Sequence, residues 1–266
     1  MNKNMKLYAT LLVKNEIDII HQNINHHLPL VDKFYILDHN SSDGTWEYLQ
    51  CRAKSEPKIV LQQELSEAYN QSDFVTNLIL RAKADGADWV LNIDADEFLK
   101  GTLQAVLNLA ATTTFNAFRL NVFNYRLTSQ DNFKELNPLK RLTYKDKNAE
   151  TQKVFIRTKN FINIGIGGHG ARFSTEEFDF IPTYLYFDHY PYRSFEHFCR
   201  KIINGSKSYF KSNLHKQDPQ GPWVGHWLKP YKILLEKGTE GLKEWFLKNI
   251  YVEDVADLVY SPNSNS

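Results

Sequence analysis

Apolar positions in the first hundred residues come in short dense runs separated by helical spacing. Leu7-Tyr8-Ala9-Thr10-Leu11-Leu12-Val13, Lys33-Phe34-Tyr35-Ile36-Leu37, Lys58-Ile59-Val60-Leu61 and Trp89-Val90-Leu91-Asn92-Ile93 are rich in strand formers and bounded by turn residues. Between them, Ile17, Ile20 and Ile24 recur at 3.6-residue spacing up to Pro29. Trp46 and Leu49 mark a second helix, and Phe74, Val75, Leu78, Ile79 and Ala82 a third, with Ser72 as its predicted cap. Strand and helix alternate four times. That pattern predicts right-handed βαβ units and an α/β fold with a mostly parallel, Rossmann-like sheet flanked by helices.

After Lys100 the pattern changes. A short helix runs over 102–111, and residues 117–124 alternate as a half-exposed strand does. Lys153 to Arg157 and Phe161 to Ile164 read as a hairpin around Thr158-Lys159-Asn160, preceded by a long polar loop. Tyr184 to Phe187 is a further strand, ending in Asp188-His189-Tyr190. Ser194 caps a helix carrying Phe195, Phe198, Ile202 and Ile203, and Thr239 is the predicted cap of a last helix with Leu242, Trp245, Phe246 and Ile250. The predicted organisation is a catalytic domain over 1–212, with halves at 1–100 and 101–212, and a helical, aromatic-rich extension over 213–266.

Composition narrows the possibilities. The 266 residues are 42% hydrophobic, enough for a full core without disulfides, and Cys51 and Cys199 lack any metal or disulfide spacing. A formal net charge of +1 argues against a dedicated nucleic-acid binder. No stretch approaches the roughly 20 apolar residues of a membrane span, which predicts a cytoplasmic protein. The segment Pro222-Trp223-Val224-Gly225-His226-Trp227 is aromatic and followed by basic residues. Packing is its plainer reading; the sharper one is an acceptor-binding face or a membrane-surface face in peripheral contact with the inner membrane.

The candidate chemistry lies at strand ends. In open α/β sheets the ligand crevice lies beyond the strands' carboxyl ends. Asn15, Glu16, Asp38 and Asp94-Ala95-Asp96 should gather there. Two aspartates one residue apart can turn toward one divalent cation, although acids also favour helix N-termini for ordinary reasons. His21, His26 and His27 lack zinc-helix spacing and read as surface or packing residues. Gly165-Ile166-Gly167-Gly168-His169-Gly170 matches G-x-G-x-x-G in letters, but no amphipathic helix follows to hold a pyrophosphate. A loop bringing backbone and His169 near a ligand fits better.

Val13-Lys14-Asn15-Glu16, Asp38-His39-Asn40-Ser41-Ser42-Asp43-Gly44-Thr45 and Asp94-Ala95-Asp96-Glu97-Phe98, in this order and spacing, resemble glycosyltransferase family 2-like proteins of GT-A fold. The resemblance spans roughly residues 7–210 and includes His189-Tyr190 ahead of Ser194; its sharp motifs lie in the first hundred. It implies a transferase that moves a sugar from a nucleotide-sugar donor, with UDP-sugars expected, to a glycan or lipid-linked glycan in bacterial surface polysaccharide or lipooligosaccharide synthesis. It also implies residue roles. Asp38 would accept the base N3–H, with Asn15 and Glu16 lining the nucleotide pocket. Asp94 would reach the ribose or the metal. Asp96 would hold Mn2+ or Mg2+, and His189 would complete the metal site, with His169 as the alternative. Asn77 and Arg81 fall where donor-facing helix residues lie. The usual Glu-Asp pair for the acceptor base is missing, and Asp188 is the expected base among Glu97, Asp131, Glu177 and Asp188. A non-catalytic sugar-nucleotide-binding protein and a nucleotidyltransferase are the competing classes.

Overall fold

The computed structural model describes residues 5–175, 180–212 and 225–263. In chain order the elements are β1 (Leu7–Val13), α1 (Ile20–His27), β2 (Lys33–Asp38), α2 (Thr45–Ser55), β3 (Ile59–Gln63), α3 (Gln71–Ala84), β4 (Trp89–Asp94) and β5 (Glu97–Lys100). They continue as α4 (Leu103–Thr112), β6 (Ala117–Asn124), α5 (Pro138–Arg141), β7 (Tyr144–Asp146), β8 (Thr151–Arg157), β9 (Phe161–Ile164), β10 (Ala171–Phe173) and β11 (Phe180–His189). The chain then forms α6 (Phe195–Phe210), α7 (Gly225–Asn249) and β12 (Leu258–Tyr260).

The chain divides into two compact units. The first comprises residues 1–65, 71–123 and 148–189 and holds an eight-stranded sheet in the order β3-β2-β1-β4-β8-β6-β11-β5. β3, β2, β1 and β4 run parallel, as the βαβ pattern predicts. Beyond β4 the sheet becomes antiparallel, because β8 reverses against both β4 and β6, and β5 against β11. Trp89, Phe118 and Phe155 pack together where the two halves meet, with ring centroids 5.0–6.1 Å apart.

The predicted hairpin of 153–157 with 161–164 does not form. β8 joins the large sheet, whereas β9 pairs with β10 in a separate ribbon against α3. Thr158 explains the divergence: its amide and hydroxyl bond the carbonyls of Asp88 and Ala87 instead of closing a two-strand turn. Nor does Ser72 cap α3; it lies one residue inside the helix, and its hydroxyl donates to Ile164 O.

The second unit comprises residues 66–70, 124–147 and 190–266, so it interleaves with the first along the chain rather than beginning after residue 212. The loop expected before β8 carries α5, capped by Asn137, and β7, which pairs with β12. Ser194 caps α6 as predicted, accepting from His197 N at 3.0 Å. α6 packs on α7 through Phe198, Trp245 and Phe246. α7 begins well before Thr239 and kinks at Gly238 (φ +66°), so Thr239 opens the second segment of a longer helix. Of the aromatic segment, Gly225-His226-Trp227 lies in α7, and 222–224 fall outside the described residues. Among the described residues, no helix is long and apolar enough to cross a membrane.

Candidate donor and metal site

β4 leads into β5 through only Ala95 and Asp96, yet β8, β6 and β11 stand between them in the sheet. Four strand spacings in a flat sheet would be about 19 Å, whereas the three peptide links from Asp94 to Glu97 reach at most about 11 Å. The sheet must therefore curl back on itself, and it closes at Asp94-Ala95-Asp96-Glu97. This closure brings together side chains from β4, β5, β8 and β11 that no local sequence pattern connects.

Helix α1 locks the closure. Asn23 Nδ2 donates to Asp94 O at 3.1 Å and Glu97 O at 2.9 Å. β5 is an edge strand, and its outward groups at Leu99 are satisfied by histidines: Leu99 N donates to His27 Nε2 at 3.2 Å, and His26 Nε2 donates to Leu99 O at 2.8 Å. His27 donates its Nδ1–H to Asn23 O at 3.0 Å, which fixes the tautomer that leaves Nε2 free to accept. Burial, reinforced by neighbouring His26, pushes the His27 pKa down to about 3. The helix histidines, expected as surface or packing residues, are thus the clasp of this edge.

Inside the closure, Lys153 Nζ lies 2.6 Å from Asp94 Oδ2 and 2.7 Å from Glu97 Oε2. Glu97 Oε2 also accepts Asp94 N at 2.9 Å, so Asp94, Glu97 and Lys153 close a ring. Lys153 and Glu97 are both buried. Burial alone would push the ammonium pKa down, but Asp94 and Glu97 outweigh it and hold Lys153 above its ordinary value, hence charged. Burial raises the Glu97 carboxyl, with Lys153 opposing. Sequence reading missed Lys153; the available signal was a lysine abutting the buried run Val154-Phe155-Ile156, where a charge requires partners.

Asp96 is buried, and His189 Nε2 stands 3.5 Å from its Oδ1. His189 faces Glu97 in the β11–β5 ladder, and Asp188 faces Phe98. Successive strand residues point to opposite faces, so Asp188 turns away from His189. Its carboxylate lies 4.0 Å from Lys100 Nζ, and its charge acts on His26. Asp188 is therefore not brought to the acidic turn, and the expected role as acceptor base loses its geometric basis. Of the other candidates, Glu97 is engaged by Lys153, Asp131 binds Thr128 in the second unit, and Glu177 lies outside the described residues.

Across β1, the remaining strand ends meet the same rim. Val13 pairs with Asp38 and Leu12 with Asp94, so the two aspartates stand at nearly the same level on either side of β1. Chain order reverses here, since β2 follows on one side and β4 lies on the other; that is a topological switch point. Asp38 is fully buried; Oδ1 accepts from Ser41 N at 3.0 Å and, at 3.5 Å, from Gln63 Nε2, while Oδ2 has no partner among the described residues. Asn15, at φ +59°, accepts Ser42 N on its side-chain oxygen and donates its own amide to Ser41 Oγ. Glu16 N donates to Thr45 Oγ1, and Ile17 N to Asp43 Oδ2. The Ser, Asp and Thr residues of the β2 loop thus stitch it to the β1 loop.

Three predicted residues stand apart from this group. Arg81, in the last turn of α3, lies over the Tyr35 ring at 5.9 Å, close to Asp85, which bonds Lys33 and Tyr35 at the beginning of β2. That is the amino-end side of the sheet, opposite the rim. Asn77 is exposed midway along α3. His169 is also exposed, its Nδ1 within 2.9 Å of Gln152 O and 3.1 Å of Thr151 Oγ1. Its glycine loop is anchored to α3 through Gln71 and abuts Asn92 and Lys153 at Gly168. This keeps His169 in the neighbourhood of the turn, bonded to Gln152 and Thr151.

No protein-family model matches the chain. Among curated proteins, an uncharacterized glycosyltransferase of Rickettsia conorii is 33% identical over 106 residues, a match that covers 39% of this chain and about a third (34%) of that relative's length. Among solved structures, the mannosyltransferase PcManGT of Pyrobaculum calidifontis, in complex with GDP-Man and Mn2+, aligns over 92% of this chain and 86% of its own, at 13% identity and a TM-score of 0.42.

Proposed function

We propose that the protein is a metal-dependent glycosyltransferase that takes its sugar from a nucleotide-sugar donor. One relationship carries this reading: Asp38, buried with a carboxylate oxygen that has no partner among the described residues, and the acids of the 94–97 turn flank β1 at one level of the switch-point rim. Two strand spacings separate them, roughly 10 Å, which suits a base at one end and a diphosphate at the other. Asp38 Oδ2 would accept an N–H of the base, as uracil offers, and Asn15 and Glu16 would line that end.

Asp96 and His189 would hold the cation, with Asp94 beside them. Carboxylate oxygens suit Mn2+ or Mg2+, and the imidazole favours Mn2+ of the two. A bound cation would neutralise the charge that gathers on the departing nucleoside diphosphate. Within the chain, Asn23 and the α1 histidines hold the acidic turn rigid, which electrostatic stabilisation of a leaving group requires. A glycan or lipid-linked glycan acceptor, surface-glycan synthesis and work at the inner membrane face are supported only by the sequence resemblance.

The ion pair between Lys153 and Asp94 favours one alternative, a sugar-nucleotide-binding protein in which a lysine occupies the acids and no transfer occurs. Incubation with UDP-, GDP- and CMP-sugars and Mn2+ separates the two readings. The transferase reading expects metal-dependent release of the donor's nucleotide (UDP, GDP or CMP), abolished in Asp96→Ala. Tight nucleotide binding with no turnover of any donor would support the alternative, and unchanged metal-dependent turnover in Asp96→Ala would overturn the metal assignment.

A further inference from the structure

The acidic turn is not simply a cluster of carboxylates awaiting a cation, because it already contains one. Lys153 donates to Asp94 and Glu97 at once, and Glu97 is tied back to the Asp94 amide. A buried ion pair can often be replaced by apolar residues with little change in stability, so stability alone gives little reason for a lysine here. The two acids also differ in kind. The Glu97 side chain is 2% exposed and is a fixed counter-charge, while the Asp94 side chain is 33% exposed and reaches the rim. The ammonium therefore sits directly behind the carboxylate that would face a diphosphate. The aliphatic stem of Lys153 approaches the Cβ position of Gly168, which has φ +72°. The lysine is thus packed from the side as well as bonded at its tip.

We propose that Lys153 is a positioning residue and fixed positive charge of the donor site, which favours a nucleoside diphosphate and disfavours a free divalent cation. The inference rests on the donor-site reading above. With one positive charge already shared between Asp94 and Glu97, an additional cation is attracted less strongly until the diphosphate brings its own negative charge. Metal then enters with the nucleotide instead of ahead of it. Asp94 is held in one orientation throughout, so the site needs no rearrangement when the donor arrives.

The test is Lys153→Met, with Lys153→Arg as the charge-conserving partner. Free Mn2+ is measured by its solution EPR signal in the absence of nucleotide, and UDP and GDP binding by calorimetry with and without Mn2+. Loss of one unit charge a few ångströms away should strengthen Mn2+ binding without nucleotide by about tenfold and weaken nucleoside diphosphate binding by about tenfold. Lys153→Arg should keep both near the parent values. A merely structural lysine would move both affinities down together, and that result, or no change in either, overturns the proposal. If Lys153→Met does not fold, Lys153→Gln, which keeps a hydrogen-bond donor toward Asp94 and Glu97 without the charge, takes its place and should show the same opposite shifts. A parent protein that binds no nucleoside diphosphate at all would overturn the donor-site reading and this inference with it. Nucleotide binding by the parent, without the opposite shifts, overturns the inference alone.

Discussion

Asn23 donates its side-chain amide to Glu97 O at 2.9 Å, and the same nitrogen reaches Asp94 O at 3.1 Å. One side chain thus spans the mouth of the acidic turn and fixes both its ends to α1. Asn23→Leu keeps similar bulk but leaves two carbonyls without their donor. The expected cost is about 2–4 kcal/mol in urea unfolding, since an unsatisfied buried polar group costs about 1–3 kcal/mol. Amide exchange at Ala95 and Asp96 should accelerate more than in β1. Equal protection in both segments would show that the turn is held by other means.

His27 links stability to pH through the same clasp. Its folded pKa is lowered to about 3 from the ordinary 6.5, mainly by burial. A depressed histidine pKa means that the folded state binds fewer protons than the unfolded chain between those values. The contribution is therefore complete above pH 6.5 and is lost as pH falls from 6.5 toward 3. At about 1.4 kcal/mol per unit the total is on the order of 3–5 kcal/mol. Protonation also removes the Nε2 acceptor of Leu99 N. Denaturant unfolding between about pH 4.5 and 7.5, a window that spans most of this loss, should show stability declining toward acid, with a shallower slope in His27→Gln. An identical slope in the variant would remove His27 as the cause.

Gly101 ends β5 at φ +96°, and a Cβ there would meet Tyr184 O at 2.6 Å. Both facts forbid a side chain. The left-handed conformation alone costs roughly 1–2 kcal/mol for an L-residue, and the contact is with backbone, which cannot swing aside. Gly101→Ala should lose about 2 kcal/mol or more in urea unfolding. A stability within about 0.5 kcal/mol of the parent would contradict the described turn, because surface substitutions away from such features usually fall in that range.

Much of the first hundred residues was legible because each strand and helix there carries its own period. β1 to β4 and the acids at their ends follow from runs such as Tyr35-Ile36-Leu37-Asp38, in which local pattern and burial agree. What lay hidden depends on register between distant segments. Lys153 meets Asp94 only because β8 pairs beside β4, and His189 meets Asp96 only because β11 pairs with β5. The same register sends Asp188 to the opposite face, which chain adjacency to His189 could not reveal. Arg81 lies away from the rim for a related reason. α3 runs back against the parallel strands, so its last turn lies at their amino ends, whatever its residue type suggests. Asn15, Ser41, Asp43 and Thr45 were visible as a motif, but their mutual hydrogen bonds show that much of that motif builds the rim rather than touching a ligand.

Asp38 offers the sharpest check on donor recognition. Its Oδ1 is committed to Ser41 N, while Oδ2 is buried without a partner among the described residues. An ionised carboxylate can only accept, so it matches a base that presents N–H, as uracil does at N3 and guanine at N1. The substitution Asp38→Asn keeps the shape and the Ser41 contact but turns the open position into a donor. The new amide would then oppose the N–H of uracil or guanine and match the N3 acceptor of cytosine. Hydrogen bonds to charged groups contribute about 1.5–3 kcal/mol, so UDP and GDP affinity should fall about ten- to a hundredfold, while CDP affinity holds or rises. Folding stability should change little, because no protein donor loses its partner. Calorimetry with the three nucleoside diphosphates reads the outcome directly. Equal losses for all three would mean that Asp38 supports the loop without reading the base, and unchanged UDP and GDP binding would place the base elsewhere.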